Sequence, residues 1–480
     1  MNIYKEAIIK EAQYNTRRHF LRKCMSGMGA LTLGTMVNQP LFASENPLDL
    51  PNPHFSPKAK HVIYLHMAGA PSQLELFDYK PLLEKLNGQD CPASLLEGKR
   101  FAFIRGVPKM LGPQSTFKQH GASGAWISDY LPHFSGVADD VCFIKSMYTN
   151  EFNHAPAQFY LQTGSPRTGR PCMGSWVTYG LGSENSDLPG FIVLLSRGGT
   201  SAGKRIWGSG FLPTVHQGVQ CNTKGEPVLN LENPQGIDSA LRKKSIQTIN
   251  EINELEYNAT NDPEILTRIS QYELAFKMQT SVPDVMNIDA EPAYIKEMYG
   301  ATPGENSFAN NCLLARRLVE KGVRFVQLYD QGWDTHGASP GNGVDQGLRD
   351  SCGYIDQAIT ALILDLKQRG MLEETLVVWG GEFGRTPMME ARTGKNFFGR
   401  DHNSEAFTIW MAGGGVKNGI TVGETDEIGF AGIRDRVHIH DLQATILHLL
   451  GLNHEKLTYR FQGRDYRLTD VHGNVVKSIV

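Results

Sequence analysis

The sequence predicts an α/β fold: a doubly wound, mostly parallel sheet with helices on both faces. Three observations carry this expectation. Short apolar runs rich in β-branched residues recur along the chain, bounded by glycine, proline and asparagine. Stretches of helical periodicity fall between them, the alternation that builds crossover connections. Polar residues crowd just past the C-terminal ends of the apolar runs, where ligands bind in open α/β sheets.

The N-terminal stretch reads as an address. Arg17-Arg18, with Phe20-Leu21-Arg22-Lys23, precedes a weakly apolar run from Met25 to Val37, and Phe42-Ala43-Ser44 follows. Paired arginines before such a run resemble a twin-arginine export signal over residues 1–43. The run is shorter than the roughly 20 apolar residues that span a bilayer. The expectation is a mature chain beginning near Ser44, exported to the periplasm or its equivalent, with no membrane span. Losing six basic and two acidic residues takes the formal net charge from −3 to −7. This balance, with no run of five basic residues, argues against a nucleic-acid partner. Cys91, Cys142, Cys172, Cys221, Cys312 and Cys352 remain, and none forms a Cys-x-x-Cys pair. They are expected to be core thiols rather than zinc ligands.

Residues 44–480 read as a single domain. Residues 61–66 make the first core strand, ending in Gly69-Ala70-Pro71-Ser72. Residues 141–144 make a second, leading into Asn153-His154-Ala155-Pro156 and a helix that ends at Thr163-Gly164. Residues 191–195 make a third. Residues 197–235, rich in Gly, Pro and Asn, form a long irregular excursion of the kind used for lids and binding loops. Residues 236–300 are expected to be a helical insertion. Asp262-Pro263-Glu264 supplies an N-cap, a first-turn proline and an early carboxylate. Ile265, Ile269, Tyr272 and Phe276 follow at helical spacing as one packing stripe. Residues 325–329 are the next strand. Residues 356–369 are a crossover helix with Ile359, Leu362 and Leu366 on one side. Residues 376–379 are a buried parallel strand, 406–415 a further strand, and 440–451 a helix with Asp441 as N-cap.

Asp334 and His336 follow one strand, Glu382 and Arg385 the next, and Asp401 with His402 lie just beyond. Carboxylate and imidazole suit a divalent ion such as Zn, Mn, Ca or Mg. Such an ion polarises an ester oxygen. Asp334, His336, Glu382 and His402 are the candidate metal ligands, expected to converge on one centre. Arg385 is the candidate clamp for a sulfate or phosphate, which its planar fork fits. A competing structural reading makes the same residues a hydrogen-bonded framework, as a lone Asp-x-His often is.

Six motifs support a resemblance: Met67-Ala-Gly-Ala-Pro-Ser-Gln73, Phe77-Asp-Tyr-Lys-Pro81, Asn153-His-Ala-Pro156, Gly332-Trp-Asp-Thr-His-Gly337, Gly381-Glu-Phe-Gly-Arg-Thr-Pro387 and Gly399-Arg-Asp-His-Asn403. The chain resembles domain-of-unknown-function family 1501, exported sulfatase-like proteins of the alkaline phosphatase superfamily. Sulfatases carry Cys-Ser-Pro-Ser-Arg before a helix ending in Thr-Gly. Here His154 stands in place of the nucleophile's cysteine precursor and Gln158 in place of the arginine. The later Asp-His-Gly or Asp-Asn-Gly becomes Glu382-Phe383-Gly384, and His66-Met67-Ala68-Gly69 lacks the paired aspartates after the first strand. His402 matches the later histidine. The resemblance therefore implies a metal-dependent hydrolase of a sulfate, phosphate or related ester, on a small molecule or a glycan. Its chemistry would not be of the formylglycine type, and His154 would be nucleophile or general acid/base. The alternative is a catalytically inactive member that binds an envelope polymer or a partner protein.

Overall fold

The structure, a computed structural model, describes residues 51–98, 101–228, 233, 236–390 and 397–480. The export signal expected over residues 1–43 lies outside the described residues. A nine-stranded sheet organises the fold. Its strands are β1 (His61–Ala68), β2 (Val141–Tyr148), β3 (Phe191–Ser196), β4 (Val219–Cys221), β5 (Phe325–Gln331), β6 (Thr375–Gly380), β7 (Phe407–Ala412), β8 (Ile420–Val422) and β9 (Val437–His438). The order across the sheet is β8-β2-β7-β6-β1-β5-β3-β4, with β9 also paired to β2. Only β7 runs antiparallel to its neighbours; the other pairings are parallel.

β1 shows why the sheet is central. It is buried over its whole length and paired on both edges, Ile63 lying opposite Val326 and Val377. Its side chains alternate between two cores, as the two-residue period of a strand requires. Ile63, Leu65 and Met67 enter one core with Leu313 and Leu314 of α6 (Phe308–Glu320) and Ile355 and Leu362 of α7 (Gln346–Gln368). Val62 and Tyr64 enter the other with Leu161 of α1 (His154–Thr163), Trp176 of α2 (Met173–Leu181) and Ile446 of α8 (Ile439–Leu449). Helices thus cover both faces. Truncating a side chain such as Leu65 to alanine would cost about 2–5 kcal/mol.

Between these elements lie α3 (Ser239–Thr260), α4 (Pro263–Met286) and α5 (Ala293–Tyr299). Asp262 caps α4 by accepting the Glu264 N–H. The buried line of α4 is not the expected one. Tyr272 is 39% exposed, and Ile265, Met278, Val282 and Val285 are the buried apolar residues. Three further readings are corrected. The excursion after β3 contains β4, which extends the sheet by pairing with Ile192–Leu194. α7 starts ten residues before the expected position, because Gly347 and Gly353 in its first turns blur the helical pattern. Asp441 is not the N-cap of α8. His438 is, and Asp441 at the third helical position reaches back to the His438 N–H in a capping box. The six cysteines after the N-terminal stretch are buried free thiols. No described helix is long and apolar enough to cross a membrane.

Candidate metal centre

The loops leaving the carboxyl ends of β6, β1, β5 and β3 lie side by side because those strands are neighbours in that order. They bring Glu382, Gly69, Asp334 and Arg197 to one edge of the sheet. The strands carrying Asp334 and Glu382 are not adjacent in the sheet; β1 separates them. Their loops still meet because Gly69, at φ +114°, turns the chain tightly at the end of β1. A Cβ at Gly69 would stand 2.6 Å from the Asp334 nitrogen. His154 is the first residue of α1. His402 lies on a two-stranded antiparallel ribbon formed by Gly384–Met389 and Arg400–Asn403, paired with Arg385. Gly399 lets that ribbon press on the loop of His336: a Cβ there would stand 2.0 Å from the His336 carbonyl carbon.

Four side chains converge. Asp334 Oδ1 lies 2.8 Å from His336 Nε2, 3.1 Å from His154 Nε2 and 3.5 Å from His402 Nε2. His336 Nε2 and His402 Nε2 are 3.1 Å apart. One ligand atom from each of His154, Asp334, His336 and His402 lies within 4.8 Å of all the others, a group that could hold a metal ion. On the outer side each imidazole is fixed through Nδ1. His154 Nδ1 meets Glu382 Oε1 at 2.8 Å, His402 Nδ1 donates to the Phe152 carbonyl at 2.7 Å, and His336 Nδ1 makes a short contact with Glu390. Because a carbonyl only accepts, His402 carries its proton on Nδ1 and turns a lone pair inward. Burial, reinforced by Arg385 and the neighbouring imidazoles, pushes its pKa down to about 4, so it is neutral at pH 7. His154 Nε2 is buried and faces Asp334 Oδ1. Burial alone would lower the His154 pKa, but the carboxylates of Asp334 and Glu382 outweigh it and raise the value to about 9. Burial likewise opposes ionisation of Asp334, yet the three imidazoles and Arg385 hold its carboxyl well below the usual range.

Glu382 does not join the four. It is fully buried one layer behind, accepting from Gly69 N–H and Gln158 Nε2 at 3.0 Å each and facing His66 Nε2 at 3.3 Å. Burial works against its charge, but His154 and His66 hold it ionised. Arg385 is also fully buried. It donates to the carbonyls of Ala70, Arg400 and Gly69 and lies 2.6 Å from Asp334 Oδ1, so it grips a candidate ligand rather than an open space. Asp401 turns away and accepts the N–H groups of Phe103 and Ile104. Two aromatic rings wall the cluster. Phe383 lies 4.9 Å from the His154 ring and 4.6 Å from His402; Phe103 stands edge-on to His336 and His402 at 5.3 and 5.4 Å.

A cavity of about 410 Å³ opens onto Asp334 and His154, with Arg197, Gln331 and Asn342 on its walls. The Asp334 side chain is 43% exposed to it. Arg197 went unnoticed in the sequence. It follows β3 just as Asp334 follows β5, the same signal, masked by the irregular composition after it. Its Nε donates to Asp330 Oδ1 at 3.1 Å, Nη1 donates to Ser351 Oγ at 3.1 Å, and Nη2 contacts the second Asp330 oxygen. The guanidinium also lies 4.6 Å from the centre of the Tyr354 ring. Glu390, behind His336, gave no sequence signal, since it lies past the antiparallel ribbon rather than at the end of a sheet strand.

The structure is similar to several solved ones. The lipoteichoic acid synthase LtaP from Listeria monocytogenes is 10% identical, with 88% of this chain and 78% of that chain covered at a TM-score of 0.35. The PsFucS1 sulfatase from Pseudoalteromonas sp. is 12% identical, with 83% and 68% covered at 0.35. An alkaline phosphatase from the Antarctic bacterium TAB5 is 11% identical, with 82% and 98% covered at 0.30. No curated protein matches the sequence. The model of the family described as "Protein of unknown function (DUF1501)" matches residues 59–480, and the chain belongs to that family.

Proposed function

We propose that this chain is a metal-dependent hydrolase of a sulfate, phosphate or related ester, with one zinc-like ion held by His154, Asp334, His336 and His402. One observation supports this above the others. Three imidazoles are fixed from outside through Nδ1, and their Nε2 atoms are turned inward onto one carboxylate oxygen. A metal-binding histidine usually gives its other ring N–H to such an outer acceptor, which fixes its tautomer and orientation. Two nitrogens bound to a tetrahedral zinc at about 2.0–2.1 Å would stand roughly 3.3 Å apart; His336 and His402 stand at 3.1 Å. A set of three imidazoles and one carboxylate suits zinc better than calcium or magnesium, which prefer oxygen.

In this reading His154 is a ligand rather than the nucleophile, since Glu382 occupies its Nδ1 and its Nε2 faces Asp334. Arg385 orients Asp334, and Asn342 secures the loop by accepting the His336 and Ala338 N–H groups at 3.1 Å each. Arg197, on the cavity wall, takes over the anion-binding role expected of Arg385. Its geometry is set beforehand by Asp330 and Tyr354, which lowers the cost of binding an anion. A bound ion would supply Lewis-acid polarisation of the ester oxygen.

Elemental analysis of the purified chain tests the assignment, followed by assays on aryl phosphate, sulfate and phosphonate esters. About one divalent ion per chain with ester turnover is expected. A chain that takes up no ion, even on titration with zinc, overturns the metal site. A stoichiometric ion without turnover of any ester leaves the polymer- or partner-binding reading in its place. We also propose twin-arginine export: changing Arg17 and Arg18 to lysine should retain the full-length chain in the cell, and normal export of that variant would refute it.

A further inference from the structure

α3 is amphipathic the wrong way round. The residues it buries against the rest of the chain are Ile246, Asn250 and Asn253, and Asn250 Nδ2 donates to Glu273 Oε1 of α4 at 3.2 Å. Its outer face carries Leu241, Ile252 and Leu255, exposed by 50, 60 and 71%. At about 100° per residue, Leu241, Ser245, Thr248, Ile252, Leu255 and Ala259 fall in one narrow stripe, spaced alternately four and three residues apart. That seam lies opposite the buried asparagines. A lone exposed leucine needs no explanation, but three large exposed apolar side chains on one helical stripe, with the small Ser245, Thr248 and Ala259 completing it, mark an interaction surface.

The charges beside the seam specify the occupant. One flank carries Lys244 and, seven residues on, Glu251; the other carries Arg242 and, fourteen residues on, Glu256. Each flank is basic toward the N-terminus and acidic toward the C-terminus. A parallel copy of the helix would set like charges together. An antiparallel copy, related by a two-fold axis near Thr248, sets Leu241 against Leu255 of the second copy. It also sets Lys244 beside the second copy's Glu251, and Arg242 beside its Glu256. The three pairings centre within about two residues of one another, close enough for the long Lys, Arg and Glu side chains to share one two-fold axis, as a closed isologous dimer demands.

We infer that the chain self-associates through α3 as an antiparallel two-fold dimer. The inference is independent of the candidate metal centre, because none of its four ligands lies on α3. Sedimentation velocity of the purified chain across micromolar concentrations should give twice the chain mass. The double variant Ile252→Glu/Leu255→Glu should sediment as a monomer with native circular dichroism, because both side chains are exposed in the single chain. Lys244→Glu alone should weaken the dimer by about ten-fold or more, and adding Glu251→Lys should restore it, since both symmetry-related pairs then reverse sign together. A native chain that stays monomeric overturns the inference. So does a dimer that survives the double glutamate variant, or a charge reversal that is not rescued.

Discussion

Two histidine clusters can be compared in this molecule, and among the described residues only the first forms a group that could hold a metal ion. In the first, His154, His336 and His402 turn their Nε2 atoms inward around Asp334. In the second, His440 and His472 meet by their faces and His438 stands edge-on to His440. The rings of His440 and His472 stack 5.1 Å apart with an 11° tilt, and His438 lies 5.0 Å from His440. The nitrogens of the second cluster point apart. His438 Nε2 meets the Asn150 side chain, its Nδ1 accepts the His440 N–H, and His440 Nε2 meets the Gly164 carbonyl. No carboxylate oxygen is shared between them. Density of histidine is therefore a poor guide to a metal site; the direction of the ring nitrogens, set by their outer partners, decides.

The contrast can be broken most severely at a ligand. His336→Ala should abolish stoichiometric metal binding, whereas His440→Asn should leave it intact; both are read by elemental analysis of protein whose fold is checked by circular dichroism. Glu382→Gln probes the outer partner instead. It keeps the shape but removes the charge facing His154, and metal affinity in a competition titration should fall by about 10–100-fold. Unchanged affinity would show that the outer carboxylate does not tune this site.

The second cluster predicts a pH effect without a metal. Burial, aided by repulsion from His440, pushes the His438 pKa down to about 4 from an ordinary 6.5. The unfolded chain therefore takes up the proton first. Stability is complete above pH 6.5 and is lost as pH falls toward 4. Because His438 is only partly buried, the loss should be about 1–2 kcal/mol after discounting for solvent screening. His438→Asn, which keeps an N-cap acceptor for α8, should flatten that slope in denaturant titrations across the range. The smallest effect belongs to His472→Ala. Its ring is exposed, so stability should move within about 0.5 kcal/mol and bound metal not at all.

Much of the fold was legible. β1, β2, β3, β5, β6 and β7 are built on apolar runs, as strands buried on both faces of a sheet usually are. The helix starting at His154 ends at the Thr163-Gly164 signal, with Gly164 left-handed at φ +67°. What the sequence hid had local reasons. Glycines blurred the start of α7, a histidine served as an N-cap, and the short edge strand β4 lay in loop-like composition. In the candidate site, Asp334, His336 and His402 were marked by their place at or just beyond strand ends, whereas His154 was singled out only by the family resemblance, and as a nucleophile or acid/base rather than a ligand. The partition of the polar groups was not legible. Glu382 and Arg385 lie in the same chain neighbourhood as the ligand candidates, yet both are buried behind them, while Arg197 stands at the cavity.

By itself, then, the sequence determined the layered α/β architecture, the edge of the sheet where chemistry would gather, and the residue types available there. Those follow from periodicity and from strand ends, which are local properties of the chain. Only the tertiary structure decided which polar groups face one another and which stand behind. That choice depends on strand order, on β1 inserting between β5 and β6, and on the close approaches that Gly69 and Gly399 permit. An imidazole has two nitrogens, and sequence alone carries no information about which one points inward. The outer partner that fixes the ring makes that choice, and Glu382, Glu390 and the Phe152 carbonyl reach His154, His336 and His402 from 228, 54 and 250 residues away in the chain.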